Sequence, residues 1–286
     1  MSVSTHQMNA FAQVVRSGSI SEAAQALGVS QSAVSQHIAK LEAAIGAQLL
    51  IRGRDGIALT QLGQDLFPLA DRYAVLGREI AERLRGHASL DLGHLTIIAN
   101  APQPALSLIA RYAERYPNVS IDFTLFDWAS AMQRVRERRV DVAIITNPTP
   151  LDELYIEPLL TARYVLYSRT DHPLAQQERI TLAEVARHKV ILPEKGSLTQ
   201  RVISKALAEH GIAAGRLVTM TTFPVMKEAI LQGIGVGFFL EASSVAEPRL
   251  REIEVTELNE SFSTCVVIPK HKLGLRLTES FLSVLG

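Results

Sequence analysis

Apolar positions at the start of the chain recur at helical spacing in successive short blocks. Met8, Phe11, Val14 and Val15 put one face of a helix over residues 4–17. Ala23, Ala24 and Leu27 make a second stripe. After a bend at Gly28-Val29, Val34, Ile38, Leu41 and Ile45 follow at offsets of four, three and four. Residues 19–46 are therefore predicted to be two short helices joined by a tight turn. Small alanines let the helices cross closely, Gly28 can take the positive φ that stops a helix sharply, and Ser30 stands where an N-cap is wanted. The polar face of the second helix, with the turn before it, offers Ser30, Gln31, Ser32, Ser35, Gln36 and Lys40. Short hydroxyls, amides and one cation can reach base edges and phosphates, which makes this a helix-turn-helix with a usable recognition face.

The period then shortens. LLIRGRDGIALT reads as two strands around Asp55-Gly56, a wing-like hairpin whose Arg52 and Arg54 are candidates for DNA phosphate contacts. A long helix follows from about Thr60 to His87, with Leu62, Leu66, Leu69, Tyr73, Leu76, Ile80 and Leu84 along one side. One small domain cannot cover so long a seam, so it predicts pairing with a second copy, with a local kink at Pro68.

From Gly93 onward short apolar runs alternate with amphipathic segments: LTIIAN, PALSLIARYAERYP, SIDFTLFD, WASAMQRVRERR and VDVAIITN. This is the pattern of a doubly wound sheet covered on both faces. RYVLYSR (163–169) and TCVVIPK (264–270) read as strands carrying the chain between two α/β lobes. The fold class is thus α plus α/β. Its expected units are a winged helix-turn-helix over 1–60, a linker helix over 61–87, a first lobe over 93–162 and 269–286, and a second lobe over 163–268.

Ligands of open α/β sheets bind outside the carboxyl ends of the strands, where helix starts present free N–H groups. That rule nominates Asn100, Ala101, Pro102, Gln103, Trp128, Ser130, Thr146 and Asn147 from the first lobe. From the second it nominates Ser197, Leu198, Thr199, Arg201, Thr222 and Phe223. Hydroxyls and free amides around a cleft favour a small anion, with a carboxylate and a phosphonate fitting nearly equally.

Composition narrows the classes. With 286 residues, 47% hydrophobic and 20% charged, the chain can bury a sizeable core. Its formal net charge of zero argues against nonspecific coating of nucleic acid. A weakly basic DNA-binding module needs a second copy on the same duplex. No apolar run approaches the ~18–20 residues of a membrane span, and the N-terminus shows no export pattern, so the expected location is the cytoplasm. Cys265 is the single cysteine, inside an apolar run, and is expected to be a core residue.

No cofactor or metal is expected. The eight histidines are scattered, with no H-x₃-H pair. Gly233, Gly235 and Gly237 follow a helix and open an apolar strand, the reverse of a dinucleotide fingerprint. No G-x-S-x-G elbow occurs, so no catalytic residue is nominated. The charges of RVRERR (134–139) are expected to be solvated.

Residues 6–63 resemble the N-terminal domain of LysR-type transcriptional regulators, on the run HQMNAFAQVVRSGSISEAA, ALGVSQSAVSQHIAKLEAAIGAQLL, the R-x-R turn and LTQLG. The chain departs from the family pattern at Ser32, where Pro is usual, and at Leu62 before the retained Gly63. VDVAI, DHPLA and GIGVGF extend the resemblance to the family's effector domain, which shares the architecture of periplasmic solute-binding proteins. HPLAQQERITLAEVARHKVILPEKGSLTQR and NAPQPALSLIARYAERYPNV are similar to a subgroup associated with aminoethylphosphonate catabolism.

The resemblance implies a non-enzymatic DNA-binding regulator. Its partners would be an inverted-repeat promoter site, a small effector between the lobes, a homodimer formed by the linker helix, a homotetramer formed by the effector domains, and RNA polymerase. A solute-binding-like ligand sensor and an enzyme on the same two-lobed scaffold are the rival readings. The sensor would have no use for residues 1–87, and the enzyme would need a reactive constellation.

Overall fold

The computed structural model describes residues 3–53, 56–84, 93–194, 196–213, 215–243 and 247–285. Helices α1 (Thr5–Ser17), α2 (Ile20–Leu27) and α3 (Gln31–Ile45) form the N-terminal bundle. Each begins at a serine whose side chain accepts a backbone N–H of the first turn: Ser4, Ser19 and Ser30. Each ends at a glycine with positive φ, including Gly28 at φ 65° between the two helices of the turn. Phe11, Val14, Ala23, Ala24, Val34, Ile38 and Leu41 are buried together, as the spacing predicts. Strands β1 (Leu50–Gly53) and β2 (Gly56–Leu59) pair antiparallel. Glu42 Oε1 accepts the N–H groups of Leu49 and Leu50 at 2.8 and 3.2 Å, tying the wing to α3. Arg54 and Asp55 lie outside the described residues, as does the side chain of Arg52.

The linker helix α4 (Gln61–Leu84) runs unbroken through Pro68. At its start Gly63 passes beneath the wing so closely that a Cβ there would stand 2.2 Å from Leu49 O. One face of α4, with Phe67, Ala70 and Ala74, joins the core of the bundle. The other face leaves Leu62, Leu69, Tyr73, Leu76 and Ile80 at 40–58% exposure, whereas Leu66 of the expected seam packs on the bundle core and the side chain of Leu84 lies outside the described residues. The linker residues 85–87 lie outside the described residues.

The remaining chain runs β3 (Gly93–Ala99), α5 (Ala105–Arg115), β4 (Val119–Leu125), α6 (Trp128–Arg136), β5 (Val142–Thr146) and β6 (Leu154–Arg169). It continues through β7 (Arg179–Ile180), α7 (Leu182–Val185), β8 (Lys189–Leu192), α8 (Leu198–Glu209), β9 (Arg216–Thr219), α9 (Phe223–Leu231) and β10 (Val236–Leu240). It closes with β11 (Leu250–Val255), β12 (Ser261–Pro269) and α10 (Arg276–Leu282). The strands are ordered β4-β3-β5-β12-β6-β10-β8-β9, with β11 paired to β6 and to β7.

Strand β6 belongs to both lobes. Residues 154–163 pair with β12, and 164–169 pair with β10 and β11. Each lobe's part of the sheet carries apolar residues on both faces: Ile97 and Ile98 go to opposite cores in the first lobe, as do Leu166 and Tyr167 in the second.

Two expectations change. Strand β12 hydrogen-bonds to β5 and to the first half of β6, and Cys265–Ile268 are buried in the first lobe's cores, so residues 264–268 belong with the first lobe, while Phe262 at the strand's start packs in the second lobe's core. Pro158 hid that half of β6 in the sequence; it sits opposite Cys265 at a break in the register, where a strand tolerates proline. The arginines of RVRERR are also not all solvated. Arg134 lies over the Phe126 ring at 4.1 Å, and Arg138, at φ 58°, turns toward α4.

There Arg138 Nη1 donates to Pro68 O at 3.3 Å and lies 3.7 Å from the fully buried carboxylate of Asp71. Asp71 also accepts from Arg16 Nε of α1 at 2.6 Å, and its Oδ2 is 2.9 Å from His271 Nε2 of the first lobe. Burial alone would raise the pKa of Asp71, but His271 and the charges of Arg16 and Lys272 hold it far below the carboxylate range. Burial pushes His271 down. Neighbouring Lys272 is buried as well and donates to Val140 O at 2.7 Å and to Asp141 Oδ1 at 2.9 Å.

Both depressed groups resist protonation when folded. The unfolded chain takes up protons first at His271, below about pH 6.5, and then at Asp71, below about pH 4, so stability falls in two successive windows on acidification. Asp71→Asn should lower stability at neutral pH by about 3 kcal/mol, because Arg16 and Arg138 lose their partner, and should shrink the lower window, to which the depressed carboxyls of Asp127 and Asp141 also contribute. Urea unfolding from pH 3 to 8 measures both effects.

Candidate functional site

The outer face of α3 presents Gln31, Ser32, Gln36 and Lys40 to solvent; Ser30 is exposed just before it and Ser35 is half-buried. Three of these side chains also have structural work. Ser30 Oγ accepts the Ala33 N–H at 3.2 Å and lies 2.8 Å from Ser32 Oγ, and Gln31 Nε2 donates to Ser21 Oγ at 3.0 Å across the turn. Gln36 and Lys40 are exposed on the same face of α3, one helical turn apart, with long, extendable side chains.

A cavity of about 140 Å³ lies between the lobes. At roughly 10–15 Å³ for each water, it suits a compound of about ten non-hydrogen atoms. Its first-lobe wall is Asn100–Pro102, Leu125–Trp128 and Thr146; its second-lobe wall includes Tyr164, Glu194, Ser197–Thr199, Thr221–Phe223 and Phe238–Leu240. Asn100 Oδ1 accepts the Thr146 N–H at 2.9 Å, Trp128 Nε1 donates to Thr146 O at 3.0 Å, and Thr146 Oγ1 meets Thr264 Oγ1 at 2.9 Å. The strand ends of this wall are thereby locked to one another.

Across the cavity Ser197 caps α8 through the Gln200 N–H at 3.1 Å, and the hydroxyls of Thr199 and Tyr164 lie 3.0 Å apart. Burial pushes the Tyr164 phenol up to about 12, so it keeps its proton throughout the physiological range. Arg201 of α8 stacks over the Trp128 ring at 4.8 Å, joining the lobes directly.

Four nominated residues stand outside the lining. Gln103 accepts from the Ser107 hydroxyl at 2.8 Å, and the hydroxyl of Ser130 is engaged by Asp127. Asn147, at φ 51°, directs its N–H to Ser263 O at 2.7 Å, while Arg201 is held on Trp128. Asn100, Ala101, Pro102, Trp128, Thr146, Ser197, Leu198, Thr199, Thr222 and Phe223 are brought together. The strand-end rule did not nominate Tyr164, Glu194, Met226, Phe238 or Phe239. The aromatics read as ordinary strand core, and Glu194 sits in a turn whose direction only the fold sets. Among the described residues no group of three His, Cys, Asp or Glu is arranged to hold a metal ion.

Residues 5–64 match the family described as bacterial regulatory helix-turn-helix protein, lysR family, and residues 88–286 match the LysR substrate binding domain. The chain belongs to the LysR family of transcriptional regulators. It is 30% identical over 237 residues to the HTH-type transcriptional regulator YeiE of Escherichia coli K12, covering 82% of this chain and 80% of that protein. Among solved structures, a full-length OxyR variant from Pseudomonas aeruginosa superposes over 100% of this chain and 95% of its own length, with a TM-score of 0.81 at 15% identity. Full-length CbnR in complex with its target DNA matches with a TM-score of 0.53 at 17% identity, over 99% of this chain and 100% of that one. As a LysR regulator the chain is a DNA-binding protein with an effector-binding domain and is not an enzyme. No described helix is long and apolar enough to cross a membrane.

Trp128 is the single tryptophan and sits at the cavity wall. Arg201→Ala removes the cation from its ring, a loss of about 0.5–1 kcal/mol. The variant should show stronger quenching of tryptophan emission by acrylamide than the wild type, because the lobes lose a direct contact.

Proposed function

We propose that this LysR regulator binds an inverted-repeat promoter site as a pair of winged helix-turn-helix domains, with the bend of the DNA controlled by a small anionic effector between the lobes. The observation that carries the reading is the inter-lobe cavity, which meets the first turn of α8 at Ser197, Leu198 and Thr199. Unpaired N–H groups and the positive end of the helix dipole favour a carboxylate or phosphonate there, each such charge gaining about 0.3–1 kcal/mol from the dipole. Ligand contacts on both walls bias the relative orientation of the lobes, and the Asp71 cluster fastens the first lobe to the linker helix. Lobe motion then reaches the DNA-binding pair and the promoter bend.

In this reading the exposed α4 face from Leu62 to Ile80 is the dimer seam, and the effector domains join two dimers into a tetramer. Paired α3 helices read half-sites about one helical turn apart, ~34 Å. Ser35, Gln36 and Lys40 face the DNA, while Arg52 and Arg54 of the wing approach its backbone. The protein acts in the cytoplasm, where its DNA is.

The test is a mobility shift with the DNA immediately upstream of the protein's own gene, with and without a panel of small carboxylates and phosphonates. Protection of an inverted repeat that changes with one compound supports the reading; no binding at low salt overturns it. Gln36→Ala should weaken binding to that site by about 1–3 kcal/mol while leaving random DNA nearly unaffected, and equal losses on both would remove Gln36 from base readout. Leu76→Asp should halve the mass of the tetramer in light scattering, leaving pairs joined through their effector domains, and an unchanged mass would displace the seam from α4.

A further inference from the structure

The cavity has a charge pattern that an anion alone does not explain. Among the described residues its lining contains two carboxylates, Asp127 and Glu194, and no lysine, arginine or histidine. Asp127 is occupied: it caps α6, accepting the N–H and the hydroxyl of Ser130, and these bonds hold it ionised against the effect of burial. Glu194 Oε2 is different. It is shielded from solvent and has no hydrogen-bond partner among the described residues. Arg201, which follows on the same side of the cleft, is stacked on Trp128 and stands outside the lining.

A buried carboxylate oxygen left unpaired is costly, and the cost disappears when a donor with positive charge arrives. The aromatic walls suit the same kind of group, since the faces of Phe223 and Phe239 attract a cation. We infer that the effector carries a protonated amine that pairs with Glu194, in addition to the anionic group at the start of α8. The inference rests on the effector site proposed above and narrows its ligand to small amino acids and aminoalkylphosphonates. Glu194 O accepts the Ser197 N–H at 3.3 Å, so the carboxylate and the helix start belong to one tight turn. The two charges on the ligand therefore lie within a few bonds of each other.

Emission of Trp128 in the full-length protein reads binding at the cavity without a label. Amino acids and aminoalkylphosphonates of two to five carbons are titrated, each beside its deaminated counterpart. The expected result is that an amine-bearing compound changes the emission at a concentration at least tenfold below that required by its counterpart, with Glu194→Gln erasing the difference. A deaminated acid that acts as well as its amine overturns the amine inference and leaves the effector site standing. The inference also fails if Glu194→Gln, with an unchanged melting temperature, responds like the wild type. If neither series changes the emission, both the inference and the placement of the site fall. The wild-type comparison stands by itself should Glu194→Gln prove unstable.

Discussion

The buried carboxylate of Asp71 is the point where the three parts of the chain meet. It comes from the linker helix, takes Arg16 from the first helix of the DNA-binding bundle, and faces Arg138 and His271 from the first lobe. An ion so thoroughly removed from water is tolerable only while its partners stay in place. The placement of the first lobe against bundle and linker is therefore tied to this cluster of charges, whereas bundle and linker also share an apolar core. The apolar surfaces allow more freedom, because the bundle core ends on one face of α4 and the first lobe's cores are built from its own strands and helices.

The same economy of contacts appears between the lobes. They share β6, and β12 runs beside it up to the crossing, so the lobes are joined by paired strands. Arg201 on Trp128 is a direct side-chain contact across the cleft, and Trp128 also lines the cavity. Such a connection would let the proposed ligand bias the relative orientation of the lobes without exposing either core. The first lobe in turn is held on the linker helix through Asp71, and in the proposed mechanism this contact carries lobe motion toward the DNA-binding domain.

Division of labour on the recognition helix follows from geometry. Ser30 and Gln31 are occupied in building the turn, as N-cap and as a brace to Ser21, so the helix-turn-helix commits its first polar residues to its own shape. Gln36 and Lys40, further along the helix, are left to face outward. Glu42 illustrates the same point from the other side. A carboxylate on a DNA-reading helix would repel phosphate, but this one is turned inward to hold the backbone of the wing.

Local chemistry determined most of the secondary structure. Serine caps and glycine stops delimit the three N-terminal helices, the apolar period fixes their buried faces and the uncovered seam of α4, and the strand–helix alternation gives the two lobes. Those signals are carried by neighbours in sequence, and the physics that reads them is local. The half of β6 around Pro158, the sheet membership of β12 and the true surroundings of Arg138 were decided only in three dimensions, since each depends on residues more than sixty positions away. Strand ends identified much of the cavity wall, because the cavity opens where the strands of the two lobes stop. Glu194, Tyr164 and Phe239 could not be placed that way: whether a side chain lines a cleft or fills a core depends on how two lobes close, and no local pattern encodes that angle.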